Sequence, residues 1–309
     1  MIEAQGLTRY YGDTLAVEGV SFSLSEGEIV GLLGHNGAGK STILKLITGA
    51  LEPDSGEVRM DGSAMGVADD AVKSKIGYLP ENLPLYHDMQ VVDYLDYMAS
   101  MHGLDGQAAR DAVVQSMKTT ELEQRTFNRI DHLSRGFKQR VGVAQAILHD
   151  PKYVILDEPT NGLDPSQTLA MRRLLKRLSK RSAVLVSTHV LQEVNAVCDR
   201  VLILRAGKLA VDQPLAALSA SNRLMLTSDA ALDKVCAAVS SVDWVTQVTE
   251  EDDGYALEVI DGARIDDRES IARLVRALVD AGVPVSGLGA VRKDLEALFR
   301  EVTEAHHAA

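Results

Sequence analysis

Apolar residues along this chain fall into two alternating patterns, short continuous runs and helical spacings. Thr14 to Leu24 is rich in Val, Leu and Phe with some alternation, and Glu28 to Leu33 is a continuous apolar run stopping at Gly34. Both read as strands. From Ser41 to Gly49, Ile43, Leu44, Leu46 and Ile47 sit on neighbouring turns of a helix. Pro53-Asp54-Ser55-Gly56 is a turn signal, and Glu57 to Met60 opens another strand. Val91 to Leu148 is mostly helical in pattern, with breaks at Gly103 and near Asn128.

Strand and helix then alternate. Tyr153–Leu156, Ala183–Ser187 and Val201–Arg205 read as strands, with helices over Ser166–Lys180 and Leu191–Cys198 between them. Such alternation predicts an α/β fold with a mainly parallel sheet covered on both faces. One domain is therefore expected over residues 1–214, with a helical insertion over about 85–148. After Pro214 the pattern changes. Arg223–Thr227 reads as strand, Ala230–Ser240 as helix, and Trp244–Thr249 with Tyr255–Ile260 as a strand pair turning at Glu251-Asp252-Asp253-Gly254. Glu269–Ala281 follows as helix, Val283–Leu288 as strand and Lys293–Thr303 as a last amphipathic helix. This βαββαβ order predicts a small ferredoxin-like α+β domain over residues 215–309.

Composition narrows the setting. Of 309 residues, 46% are hydrophobic and 25% charged, the mix of a soluble globular chain with a sizeable core. No stretch approaches the roughly 18 apolar residues of a membrane span, and the start, Met1-Ile2-Glu3-Ala4-Gln5, lacks the pattern of a secretion signal. The expected location is inside the cell. Cys198 and Cys236 have no metal-ligand spacing and read as reduced, partly buried helix thiols. The net charge is −12, of which residues 222–309 carry −8. An acidic surface repels phosphodiester backbones, so no nucleic-acid partner is expected.

Gly34-His35-Asn36-Gly37-Ala38-Gly39-Lys40-Ser41 fits the phosphate-binding loop G-x-x-x-x-G-K-[ST], between a predicted strand and a predicted helix. The glycines let backbone N–H groups turn inward around phosphates, while the following helix directs its positive end at the same anion. Lys40 supplies a full charge to the β- and γ-phosphates, Ser41 a hydroxyl for Mg²⁺, and Thr42 a bond to an adjacent phosphate. The strand Tyr153-Val154-Ile155-Leu156 ends in Asp157 and Glu158. Asp157 is placed to hold Mg²⁺ and Glu158 to polarise an attacking water, which in-line phosphoryl transfer requires.

These motifs and their order over residues 1 to about 214 resemble the nucleotide-binding subunit of ABC transporters. Leu133-Ser134-Arg135-Gly136-Phe137, followed by Lys138-Gln139-Arg140, resembles that family's signature segment. The resemblance implies a P-loop ATPase using ATP and Mg²⁺. It also implies that Ser134 and Gly136 touch the γ-phosphate of ATP held by an opposite copy. Tyr11 matches the ring that stacks on adenine, Gly162-Leu163-Asp164 the D-loop that crosses the dimer interface, and His189 the switch histidine at the γ-phosphate. Two positions depart from the pattern. Glu81 stands where glutamine is usual, and its carboxylate still suits Mg²⁺ or its water. Arg135 stands where glycine is usual, either facing solvent or adding charge near the opposing phosphate.

The wording of Ile76–Asn82, Leu133–Gln145 and Thr188–Val194 resembles ABC-2-type exporter ATPases, nearest to the gliding-motility-associated group and to the ATPase serving copper-site maturation of nitrous oxide reductase. Asp294–Phe299 resembles the helix that ends their C-terminal extensions. That resemblance implies a head-to-tail homodimer, catalysis by Glu158 and His189, and an integral membrane permease docking around Leu83 to Met101. Tyr94 and Tyr97 in that stretch read as helix core rather than contacts. The chain would then be cytoplasmic and peripheral on the inner face of the membrane. The alternative is a soluble ABC ATPase that regulates another macromolecular complex.

Overall fold

The first unit contains two sheets, one buried on a single face and one buried throughout its central strands. The computed structural model describes residues 1–66, 70–219, 223–251, 254–260, 267–290 and 295–304, and it divides into one unit of Met1–Leu215 with Phe299–Ala309 and another of Ala216–Leu298. In the first unit, β1 (Ile2–Tyr11) and β2 (Thr14–Leu24) bury Ile2, Ala4, Leu7, Val17, Val20, Phe22 and Leu24 on one face. Next come β3 (Ile29–Leu33), α1 (Lys40–Ile47), β4 (Ser55–Met60), the two-residue β5 (Ser63–Ala64), α2 (Asp70–Lys73) and β6 (Ile76–Leu79). An antiparallel sheet runs β2-β1-β4-β5.

The helical stretch contains α3 (Val91–Met101), α4 (Gly106–Thr120) and α5 (Arg135–Ala146), packed on a cluster that includes Tyr94, Leu95, Val113, Ile130 and Val141. Tyr94 belongs to that core, but Tyr97 is exposed, contrary to its expected place. There follow β7 (Tyr153–Asp157), α6 (Pro165–Leu178), β8 (Ala183–Thr188), α7 (Leu191–Val197), β9 (Arg200–Arg205) and β10 (Lys208–Pro214). The main sheet runs β10-β9-β3-β8-β7-β6, parallel apart from the antiparallel β10 edge. Every residue of β3, β7 and β8 is buried, because this sheet is covered on both faces. Along β7, Tyr153 and Ile155 face the α1 side with Ile43 and Leu44. Val154 and Leu156 face the α6 side with Leu174 and Leu175.

After α8 (Leu215–Ser219), the second unit contains β11 (Arg223–Thr227), α9 (Leu232–Val239), β12 (Val245–Glu251), β13 (Gly254–Val259), α10 (Arg268–Asp280) and β14 (Gly287–Ala290); α11 (Leu295–Glu304) is the last helix among the described residues. The antiparallel sheet order β12-β13-β11-β14 is that of a ferredoxin-like βαββαβ unit. Leu224, Leu226, Val235, Leu257, Leu274 and Leu278 form its core.

Two further expectations need correction. The strand predicted over Val283–Leu288 pairs only from Gly287, because Pro284 has no N–H and the Val283 N–H closes α10 on Leu278 O. Cys236 is exposed rather than partly buried, whereas burial pushes the Cys198 thiol up to about 12, aided by the charges of Asp199 and Glu193. Asp252 and Asp253 of the predicted turn, and Lys293 and Asp294 before α11, lie outside the described residues.

Candidate active site

The phosphate loop leaves the buried end of β3 and enters α1 at Gly39, whose φ is +103°. A side chain there is doubly excluded, since a Cβ would also come within 2.7 Å of Ala16 O. Gly34 and Ala38 are buried, while His35, Asn36 and Gly37 are exposed. Lys40 is itself buried, and its Nζ donates to Gly34 O at 2.8 Å and reaches His35 O at 3.4 Å. Burying an ammonium demands such partners. It also leaves the cation 3.7 Å from Glu158 Oε1, across from the end of β7.

At that end Asp157 and Glu158 diverge. Asp157 is buried, and its Oδ1 accepts the Ser187 hydroxyl at 2.5 Å. Glu158 turns out of the strand with φ +50°, a conformation that side chains rarely adopt. Its N–H donates to Ser187 Oγ at 3.0 Å, so one serine of β8 fixes both acids. The Glu158 carboxylate is buried, yet His189 Nδ1 lies 2.9 Å from Oε1 and 3.0 Å from Oε2. An ionised carboxylate only accepts, so Nδ1 carries the proton in that contact. Beside Asp157, Tyr78 is pushed up to about 12 by burial and by the neighbouring charge.

A cavity of ≈ 500 Å³ opens over these groups. It is lined by phosphate-loop residues from Asn36 to Thr42, among them Gly39, Lys40 and Ser41, together with Glu158, His189, Glu81 and Tyr11. The Tyr11 ring is half exposed and free to offer a face, with the Arg9 guanidinium 5.7 Å from its centre. Ala16 and Asn161 also line the cavity, and neither is singled out by a sequence motif. Asn161 follows the strand end by four residues, and its N–H bonds to Glu158 O at 3.1 Å.

Ser134, Gly136 and Asp164 do not line this cavity. Ser134 caps α5, its Oγ accepting from the Phe137 N–H at 3.4 Å. Asp164 caps α6 by accepting from Ser166 N–H at 2.9 Å, Gln167 N–H at 3.0 Å and the Ser166 hydroxyl at 2.6 Å. Those bonds, the Ser166 hydroxyl's foremost, hold its carboxyl below the usual range. Gly136 is buried at the first turn of α5.

The sequence profile of the ABC transporter family matches residues 17–161. Over 312 aligned residues the chain is 32% identical to the uncharacterized ABC transporter ATP-binding protein YdbJ of Bacillus subtilis (strain 168), spanning 99% of this chain and 96% of that protein. This chain is an ATP-binding subunit of the ABC transporter family. It is 35% identical over 208 residues to Nod factor export ATP-binding protein I of Burkholderia orbicola (strain AU 1054), 67% of this chain and 68% of that one. The ABC cassette MJ0796 is similar in fold as a dimer, with TM-score 0.63, 27% identity and coverage of 70% of this chain and 99% of that one. The same cassette, in a dimeric post-hydrolysis state bound to ADP and Pi, aligns with 26% identity at the same TM-score, 0.63. The ABC ATPase described here thus has the family's P-loop fold, binds adenine nucleotide and hydrolyses ATP.

Proposed function

We propose that two copies of this ATPase clasp ATP head to tail, and that closing and reopening drive a separate membrane-embedded partner in ABC-2-type export or force transmission. The observation that carries this reading is the split of the site. One cavity gathers Lys40, Ser41, Glu158 and His189 but not the signature residues Ser134 and Gly136. A single chain therefore presents half of each of two composite sites, which a two-fold axis completes. The name of the Nod factor export relative supports export as the coupled task.

In the proposed cycle the Tyr11 ring covers the adenine, and loop amides with Lys40 and Thr42 bind the phosphates. Ser41, Glu81 and Asp157 offer only hard oxygen donors, and the first two line the cavity, a set that suits Mg²⁺. Bound there, the ion would supply charge neutralisation at the phosphate oxygens. Glu158 orients the attacking water and takes its proton as oxygen bonds to the γ-phosphorus and the bond to ADP breaks. His189 holds the Glu158 carboxylate in place and faces the same phosphate. Ser134 and Gly136 of the opposite copy close over it, at the positive end of α5.

Among the described residues no helix is long and apolar enough to cross a membrane, and the proposed coupling runs through a separate subunit. Tyr86, Tyr97 and Met101 are exposed in the stretch after Glu81, where we place the docking surface. Residues 215–309 are proposed as an accessory domain that extends the dimer interface. The chain is placed in the cytoplasm, held at the inner membrane face by its partner, with no nucleic acid bound. Affinity isolation of the tagged chain from detergent-solubilised membranes should bring down a polytopic protein in stoichiometric amount. Replacing Tyr86 and Tyr97 with alanine should abolish that capture without reducing basal hydrolysis. Recovery of the ATPase alone, with full activity, would contradict the coupling and favour a soluble regulatory ATPase.

A further inference from the structure

The signature helix α5 faces the segment formed by the loop Gly162-Leu163-Asp164 and the first turn of α6 through two glycines. A Cβ on Gly162 would lie 2.3 Å from Arg135 Nη1 and 2.4 Å from its Cζ. A Cβ on Gly136 would lie 2.2 Å from Gln167 Oε1 and 2.6 Å from Cδ. Each glycine thus leaves room for a long side chain from the other element. The Arg135 side chain makes no hydrogen bond or ion pair among the described residues, and its flat guanidinium lies against Gly162.

We infer that Arg135 and Gln167 are positioning residues that lock the signature segment to the Asp164 loop of the same chain, so that both are presented to a second copy as one surface. This rests on the composite-site reading above. The lock accounts for the unusual arginine of the signature, whose guanidinium is seated on its own chain's loop. It also ties the two sites together. Gly162 is bonded in sequence to Asn161, which lines the chain's own cavity and whose N–H holds Glu158 O. The segment that serves the partner's ATP is therefore one contact away from the backbone that carries this chain's own general base.

The test uses the full chain in a Glu158→Gln background, where ATP should hold the dimer closed. The ATP concentration for half-maximal dimerisation is read by analytical ultracentrifugation. Nucleotide affinity is read separately, at protein concentrations too low for pairing. Arg135→Gly should raise the dimerisation requirement about five-fold or more, as coupled contacts do, while leaving single-copy affinity and the thermal midpoint unchanged. Gly162→Ala should act in the same direction. In the double variant the effect of Gly162→Ala should shrink to its backbone strain alone. Arg135→Lys keeps the charge but not the planar group, and should remain defective.

Independent, multiplying effects of the two substitutions would overturn the lock, as would full rescue by lysine, which would place the effect in charge. Wild-type-like pairing of Arg135→Gly would overturn it as well. Failure of the Glu158→Gln parent itself to pair with ATP would overturn the composite-site reading, and the lock with it. Pairing of the parent with unaltered variants would remove the lock alone.

Discussion

Glu158 shows most plainly how single residues make this site. Its backbone sits at φ +50°, which costs about 1–3 kcal/mol for a side chain other than glycine. Ser187 holds that backbone, and the carboxylate is gripped between Lys40 and His189. The strain turns an acid from the end of a buried strand towards the cavity. Removing the imidazole with His189→Ala should lower kcat by about a hundred-fold and leave nucleotide affinity nearly unchanged. Steady-state kinetics beside fluorescent-nucleotide titration would check this, and an equal loss in both would make His189 a binding group only. Lys40→Ala should instead weaken ATP binding by at least about ten-fold, because a buried charge-assisted contact to phosphate is lost. Isothermal titration with ATP reads that directly, and unchanged affinity would remove Lys40 from the phosphate cradle.

At the scale of elements, the parallel sheet was legible because β3, β7 and β8 are buried on both faces and run apolar until the polar ends of β7 and β8, Asp157, Ser187 and Thr188. Helices α1, α6 and α10 showed themselves through one apolar stripe each. What stayed hidden depended on contacts far apart in the chain. The edge strand β10 alternates only between exposed and half-buried positions, with none buried, and β14 is short because Pro284 interrupts its approach. The phosphate loop and the acids after β7 could be placed from motifs, since each occupies a fixed offset from a strand. Asn161 and Gln167 could not, because their importance comes from which atoms lie opposite them.

One junction between elements also sets a pH response. His102 ends α3 and His149 follows α5, and their rings stack with centroids 4.0 Å apart. His149 Nε2 meets Ile76 O of β6 at 3.0 Å, while its buried Nδ1 has no partner among the described residues. Burial, reinforced by His102 and opposed by the Ile76 carbonyl and Asp150, pushes His149 down to about 4. The unfolded chain takes up that proton first as pH falls below about 6.5, so stability declines between there and about 4. Denaturant unfolding should show roughly 1–2 kcal/mol less stability at pH 5 than at pH 7.5, and His149→Gln should reduce that difference. A variant with the wild-type pH slope would assign the effect elsewhere.

For the molecule as a whole, hydrolysis, nucleotide binding and family follow from the fold, the cavity and the relatives together. The proposed composite site extends this to two copies. Lys40, Ser41, Glu158 and His189 meet in one chain, and Ser134 and Gly136 stand apart from them on α5. The central claim is that ATP itself brings the halves together. Glu158→Gln removes the proposed proton acceptor while preserving shape, so ATP should be bound and held. Sedimentation of this variant with Mg²⁺ and ATP should show a stable dimer that is absent with ADP or without nucleotide. A species that binds ATP yet remains monomeric over the same concentrations would contradict the account.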